Sequence, residues 1–418
     1  MILRFRVENF RSIKEMQELS FIANASDDLK ESLTTFDHYR ILRSAAIYGA
    51  NASGKSNILK AISFMQKAVQ ESFRLWNSIP CEPFLLHPEW SKHPSIFDLD
   101  FIFNNVRYSF GFTINHGNFS EEHLYAYPNN RKQIIYERNN NKFTKFNLNP
   151  DAEPIQRLVK DSALFLSAAG QIENDQILSI YNYLTLKLQF FSSGTHSLGR
   201  ESVTSRLFQA DPRIGNRIRS LIKIADLGIH DIEIKEESLI NNEFLKTLIT
   251  FFESTIKKDS LEQAIKIPQT RDIISTLHKN NELDIQFKPE NESTGTIAWF
   301  LFLGPMLIAM AEDGLLYVDE LESSLHPFLV RKIVEFFQNP ELNPKGGQLL
   351  FTTHNTTLLD LSLLRRDAIW FTEKDADGAT HLYPLTDFSP RKNENIEKGY
   401  IQGRYGAIPY IGELTNVL

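Results

Sequence analysis

The sequence predicts an α/β fold with an antiparallel β-subdomain and an inserted helical subdomain. Three observations predict it. A short apolar run, AAIY at 45–48, leads into a glycine-bounded turn and then into a segment of helical period. Between 83 and about 148 the apolar period drops to two. After a long stretch of mainly helical pattern, strands and helices alternate again from 283 onward.

The chain has 418 residues, of which 42% are apolar, enough for two or three ordinary domains with a real core. A net charge of -7 argues against coating nucleic acid by bulk charge and leaves only a local basic groove open. The single cysteine, Cys81, excludes an intramolecular disulfide and any multi-cysteine zinc module. It fits a reducing compartment. The opening MILRFRVENFRSIKEM alternates apolar and charged residues and lacks the core of a signal peptide. The longest apolar stretch, IAWFLFLGPMLIAMA at 297–311, has fifteen residues, short of the roughly 20 that span a bilayer. With Gly304 and Pro305 inside, it predicts a buried helix, kinked or interrupted near Pro305. A cytoplasmic protein without a membrane partner is expected.

Residues 1–48 read as strands. The helix from 55 to about 75 carries Ile58, Leu59, Ile62, Met65 and Val69 at helical spacing. IFDLDFIF, VRYSFGFTI, EEHLYAY, QIIYER and KFTKFNL then follow, separated by Asn104-Asn105, Asn115-His116-Gly117, Pro128-Asn129-Asn130 and Asn139-Asn140-Asn141. That pattern is an antiparallel meander. Over 154–282 the pieces IQRLVKDSALFL, DQILSIYNYLTLKLQFF, NRIRSLIKIADL and EFLKTLITFFESTIKK read as helices, with a break at 192–202. No heptad there is sustained enough for a long coiled coil. LDIQF, the apolar helix, LLYVDE, a helix from Pro327, QLLFTTH and AIWFTEKD complete the order. The expected divisions are 1–153, a lobe with the glycine turn and the meander; 154–282, the helical insertion; and 283–418, a C-terminal lobe.

The strongest chemical signal is Gly49-Ala50-Asn51-Ala52-Ser53-Gly54-Lys55-Ser56, followed by Asn57. It satisfies GxxxxGK[ST] between a strand and a helix. Glycines let backbone N–H groups turn inward around a phosphate, and the helix N-terminus adds positive dipole. Lys55 is expected to reach the β- and γ-phosphates of ATP, and Ser56 to ligate Mg²⁺. Far downstream, LLYVDE ends in Asp319 and Glu320. Asp319 suits a hold on Mg²⁺; Glu320 suits the orientation of an attacking water. His354, ending QLLFTTH, suits a contact sensitive to nucleotide state.

These three elements, in this order around a long insertion, resemble the P-loop NTPase heads of ABC type found in SMC proteins and OLD-type ATPases. The segment Glu292-Ser293-Thr294-Gly295-Thr296, about 25 residues before the DE strand, resembles the family signature. DELESSLHP (319–327) resembles the Walker B and D-loop stretch, with His326 where many relatives carry aspartate. The opening FRVENFRSI resembles the first strand of these heads, which implies that Arg11 approaches the nucleotide. LRRD, IWFTEKD, LTDF and the tail KGYIQGRYGAIP narrow the resemblance to RloA-like and abortive-infection ATPases of the AAA family, found beside restriction and phage-defence genes. The resemblance implies a homo-oligomer: two heads sandwich ATP head to tail, with Ser293 and Gly295 facing the Lys55 turn of the other subunit. It implies catalysis by Glu320 with Lys55 and His354. It also implies a separately encoded effector, such as a Toprim-like nuclease. An SMC/RecF-like ATPase of DNA maintenance is the alternative, and a scaffold that binds ATP with little turnover is a third.

Gln171 in FLSAAGQ is a weak candidate for the family's Q-loop glutamine and reads better as a surface helix residue. Arg206, Arg213, Arg217, Arg219 and Lys223 form a basic cluster that could touch nucleic-acid phosphates, though a solvated helix face explains it more simply. Asp375-Ala376-Asp377-Gly378 reads as a hairpin turn, and no nuclease site is expected. GxSxG and HExxH are absent.

Overall fold

The computed structural model describes residues 1–148, 153–171, 175–192, 203–225, 228–238, 270–280, 283–288 and 291–409. Strands β1 (Ile2–Glu8) and β2 (Gln17–Ser20) pair antiparallel, and β3 (Leu33–Phe36) and β4 (Tyr39–Leu42) form a hairpin. The wholly buried β5 (Ser44–Gly49) runs into the glycine turn and helix α1 (Lys55–Glu71). The expected meander follows as β6 (Ser95–Phe103), β7 (Val106–Asn115), β8 (Asn118–Tyr127), β9 (Gln133–Asn139) and β10 (Lys142–Phe146). With β1 and β2 it makes a seven-stranded sheet in the order β10-β9-β8-β7-β6-β1-β2. Its turns work because Asn104, Asn105, His116, Asn129, Asn130, Asn140 and Asn141 all have positive φ. Short polar side chains tolerate that left-handed backbone, which matches the twist of hairpin strands.

The chain continues through α2 (Glu153–Gln156), α3 (Phe165–Ala169), α4 (Asp175–Leu186) and β11 (Leu188–Ser192). Next come α5 (Val203–Ala210), α6 (Pro212–Ile224), β12 (Ile229–Ser238), β13 (Thr270–Asn280), β14 (Leu283–Phe287) and α7 (Thr294–Ala311). The last part holds β15 (Leu315–Asp319), α8 (Pro327–Gln338), β16 (Gln348–Thr352), β17 (Ile369–Lys374), β18 (Thr380–Pro384) and α9 (Ile396–Ile401). A six-stranded sheet has the order β11-β15-β16-β5-β17-β18. Its first five strands are parallel and β18 is antiparallel. Strands buried on both faces read as continuous apolar runs, which is why AAIY, LLYV and QLLF lack alternation. Because β15, β16 and β5 are parallel neighbours, the turn after Gly49, the carboxylates after Val318 and the histidine after Thr352 emerge at one edge. Ligands of open α/β sheets bind along the carboxyl ends of the strands.

Two compact units divide the chain: Met1–Ser192 with Ile308–Leu418, and Ser193–Leu307. The breaks thus fall after 192 and 307 rather than at 154 and 282. Residues 153–192 belong with the head for clear reasons. The Leu164 N–H donates to Ser72 Oγ and the Phe73 N–H to Ser167 Oγ. The N–H groups of Phe165 and Leu166 end on the buried Glu122 carboxylate. The tail of DQILSIYNYLTLKLQFF is not helix: from Leu188 it pairs with β15.

The second unit is not purely helical as expected, since β12, β13 and β14 form an antiparallel sheet beside α5 and α6. The helix expected over 243–258 lies outside the described residues. Helix α7 is long and apolar enough to cross a membrane by length and composition alone. Trp299, Phe302, Leu303, Met306 and Ala309 are at most 1% exposed, so it is a core helix. It runs through Pro305 without the expected interruption. Proline removes the N–H that would bond Leu301 O; the Thr204 hydroxyl donates to that carbonyl instead, at 3.0 Å, and accepts the Gly304 N–H at 2.9 Å.

Candidate functional site

Residues 50–54 turn the chain from β5 into α1. A Cβ on Gly49 would lie 2.5 Å from Ser53 Oγ and from both oxygens of Thr372, and one on Gly54 would collide with the Thr380 side chain. Gly54 also has φ +107°, which L-residues avoid. Hydroxyls brace the turn. Ser53 Oγ and Thr372 Oγ1 are 2.6 Å apart, and Thr380 Oγ1 donates to Ser53 O at 2.9 Å. Thr380 Oγ1 also meets Ser12 Oγ at 2.7 Å, and Ser12 Oγ accepts from Asn57 Nδ2 at 2.6 Å. Lys55 is 6% exposed. Its Nζ donates back to the Gly49 and Ala50 carbonyls at 2.8 and 3.1 Å. Burial lowers the Lys55 pKa, and the carboxylates of Glu320, Asp319 and Glu322 oppose that fall.

Across the sheet edge, the Ser56 hydroxyl donates to Asp319 Oδ1 at 2.9 Å, joining positions 263 residues apart. Thr352 Oγ1 donates to the same oxygen at 2.8 Å and accepts the Glu320 N–H at 2.8 Å. Glu320 takes φ +55°. Glu322 accepts the backbone N–H of His354. The His354 pKa is lowered by desolvation and then by the Lys55 charge, with Glu322, Glu320 and Asp319 opposing. The structure therefore brings Gly49, Ala50, Ser53, Gly54, Lys55, Ser56, Asn57, Asp319, Glu320 and His354 to one edge; Asn51 and Ala52 are the exposed tip of the turn.

Among the described residues no group of three or more His, Cys, Asp or Glu could hold a metal ion. The Ser56 hydroxyl and Asp319 carboxylate supply instead two hard oxygen donors. That is the donor type for Mg²⁺ completed by phosphates and water, so the residues fit that ion.

Arg11 has φ +54° and sits beside Ser12, but its guanidinium pairs with Glu82 at 2.9 Å on the surface. Ser293 and Gly295 lie in the second unit at the start of α7. Ser293 Oγ accepts the Thr296 N–H at 3.1 Å, the role of an N-cap. His326 caps α8 through Nδ1, which accepts the Phe328 N–H at 3.3 Å. Gln171 donates locally to Ser167 O at 3.2 Å and has no bond to the turn among those described. Arg213 pairs with Asp211 and Arg219 with Asp231, while Arg206, Arg217 and Lys223 are exposed. Asp375 Oδ1 accepts the N–H groups of Asp377 and Ala379, closing the expected hairpin turn. Ser12, Thr352, Glu322, Thr372 and Thr380 were not singled out by motif. Ser12, Glu322, Thr352 and Thr372 nevertheless lie inside stretches already marked, FRVENFRSI, DELESSLHP, QLLFTTH and IWFTEKD, whereas Thr380 lies in none.

A strand-turn-helix phosphate cradle on a parallel sheet, facing a carboxylate pair on the next strand but one, defines a P-loop NTPase domain. Residues 44–360 match the family described as "AAA domain, putative AbiEii toxin, Type IV TA system", and the chain belongs to it. Among solved structures, it is similar to an SMC head domain from Thermotoga maritima at 15% identity and TM-score 0.42, covering 92% of this chain and 98% of that one. It is also similar to an SmcHead bound to the C-winged helix domain of ScpA, at 14% identity and TM-score 0.41, covering 92% and 97%. No curated protein matches it.

Proposed function

We propose that the chain hydrolyses ATP and acts as a nucleotide-dependent switch in phage defence, controlling a separately encoded effector. The single observation that supports this most is the Ser56–Asp319 hydrogen bond, which sets a P-loop hydroxyl against a Walker B-type carboxylate. In this reading the Lys55 ammonium leaves the Gly49 and Ala50 carbonyls for the β- and γ-phosphates. Glu320 orients the attacking water, and His354 reads the γ-phosphate from the adjacent strand. Ser56 and Asp319 would hold Mg²⁺, which when bound offsets charge developing on the phosphate oxygens. The turn closes against Ser293 and Gly295 of the partner subunit, so ATP holds two heads together and hydrolysis releases them. The family's description, with its AbiEii toxin, supports the defence setting.

The test is size-exclusion chromatography and ATP turnover of the wild type, Glu320→Gln, Lys55→Ala and Ser293→Arg. Glu320→Gln should lose at least 100-fold in turnover and elute as a larger species with ATP, while Ser293→Arg should lose both assembly and hydrolysis. Turnover unaffected by Lys55→Ala would refute the proposal. DNA affinity that appears with ATP and falls steeply with salt would favour the DNA-maintenance role instead.

A further inference from the structure

We propose that Thr352 is a positioning residue that holds the backbone of Glu320 and so aims its carboxylate. The inference rests on the hydrolytic role given to Glu320 above.

Glu320 is a non-glycine residue at φ +55°, a backbone conformation that L-residues avoid. Something must hold it there. Both N–H groups flanking its Cα end on Thr352. The Glu320 N–H donates to Thr352 Oγ1 at 2.8 Å, and the Leu321 N–H donates to Thr352 O at 3.1 Å. The Thr352 side chain has no freedom to serve otherwise. The residue is 0% exposed, and its only hydroxyl hydrogen goes to Asp319 Oδ1 at 2.8 Å. A hydroxyl whose hydrogen is committed presents its lone pairs in a defined direction; here one of them receives Glu320.

Thr352 thus links the two acids: the charge of Asp319 orients the hydroxyl, and the hydroxyl orients the peptide of Glu320. Ser56 donates to the same Asp319 oxygen. Should Ser56 turn away, Thr352 remains on that oxygen and the aim of Glu320 survives. The backbone of Thr352 is itself fixed, because β16 pairs with β5 with Thr352 opposite Ile47, and the Thr353 N–H donates to Ile47 O at 3.1 Å. Glu320 is therefore registered to the strand that carries the glycine turn.

The experiment uses the full chain and compares wild type, Thr352→Val, Thr352→Ser, Glu320→Gln and the double variant Glu320→Gln/Thr352→Val. Valine keeps the shape and removes both side-chain bonds; serine keeps them. Thr352→Val should lower kcat at least tenfold with the affinity for ATP within threefold, and Thr352→Ser should stay within threefold of wild type. On the Glu320→Gln background, valine should remove nothing further from the residual single-turnover rate. Amide exchange at Glu320, measured without nucleotide, should quicken at least tenfold in Thr352→Val alone. Full activity of Thr352→Val, an equal loss on both backgrounds, or unchanged exchange at Glu320 would each overturn the proposal. A wild type that binds no ATP would instead overturn the functional reading, and the exchange measurement would still decide whether Thr352 holds Glu320.

Discussion

Thr204→Val should loosen the core helix α7, and the amount follows from two hydrogen bonds. The Thr204 hydroxyl donates to Leu301 O and accepts the buried Gly304 N–H. Valine fills the same space and leaves both groups unmatched. Each unsatisfied buried group costs about 1–3 kcal/mol. Leu301 O is only partly buried, so the sum is about 2–4 kcal/mol. At 1.4 kcal/mol per factor of ten, local amide exchange over 298–311 should quicken roughly 30- to 700-fold. Pro305 supplies the control. In Pro305→Ala the new N–H reaches Leu301 O, so only Gly304 N–H is orphaned when Thr204 becomes valine. The cost there should fall to about half. Equal costs with and without Pro305 would refute the claim that Thr204 repairs the gap left by proline. The helix matters because its first turn carries Ser293 and Gly295, so Thr204→Val should also weaken any assembly that depends on them.

Two further outcomes concern the glycine turn. Gly54→Ala places a Cβ against the Thr380 side chain at φ +107°. ATP affinity measured by calorimetry should fall at least 100-fold, and adding Thr380→Ala should restore only part, since the space returns but the backbone strain stays. Titration of His354 by NMR should give a pKa below the ordinary histidine range, because desolvation and the Lys55 charge both disfavour the cation. The sign is checked by Lys55→Met, which removes one cause and should move the pKa upward. A ring that titrates identically in both would separate His354 from the lysine.

The head was legible because its signals are local. A wholly buried strand reads as an unbroken apolar run, and hairpins in β6–β10 announce themselves through asparagine pairs that accept positive φ. The GxxxxGKS motif carries its own geometry, since Gly49 and Gly54 stand where any Cβ would clash. The second unit was not legible in the same way. Strand β12 ends at Ser238 and pairs with β13, which begins only at Thr270, a separation that no local period records; in the first unit, LQFF turns from helix to strand only because β15 lies beside it. Propensity yields there to tertiary context. The bracing hydroxyls of Ser12, Thr352, Thr372 and Thr380 were invisible for a related reason. A threonine that orients a carboxylate looks, in sequence, like any strand threonine. At Pro305 only the expected interruption is absent, since Thr204, which bonds the groups around the proline and lets the helix continue, lies far earlier in the chain.

The groups that a triphosphate would recruit are already engaged within the chain. Lys55 holds two carbonyls of its own turn, and Ser56 holds Asp319. In the proposed role, binding would therefore be an exchange of partners rather than the filling of an open charge. The exchange favours the ligand on two counts. Nζ trades neutral carbonyl oxygens for anionic ones, and hydrogen bonds between charged groups are about twice as strong as neutral ones. An arriving anion also offsets the burial that lowers the lysine pKa. In the proposed role, departure of the phosphate would reverse both terms, and the ammonium would fall back onto the Gly49 and Ala50 carbonyls. A site with such internal substitutes can empty without collapsing, which a switch that cycles between bound and released states requires.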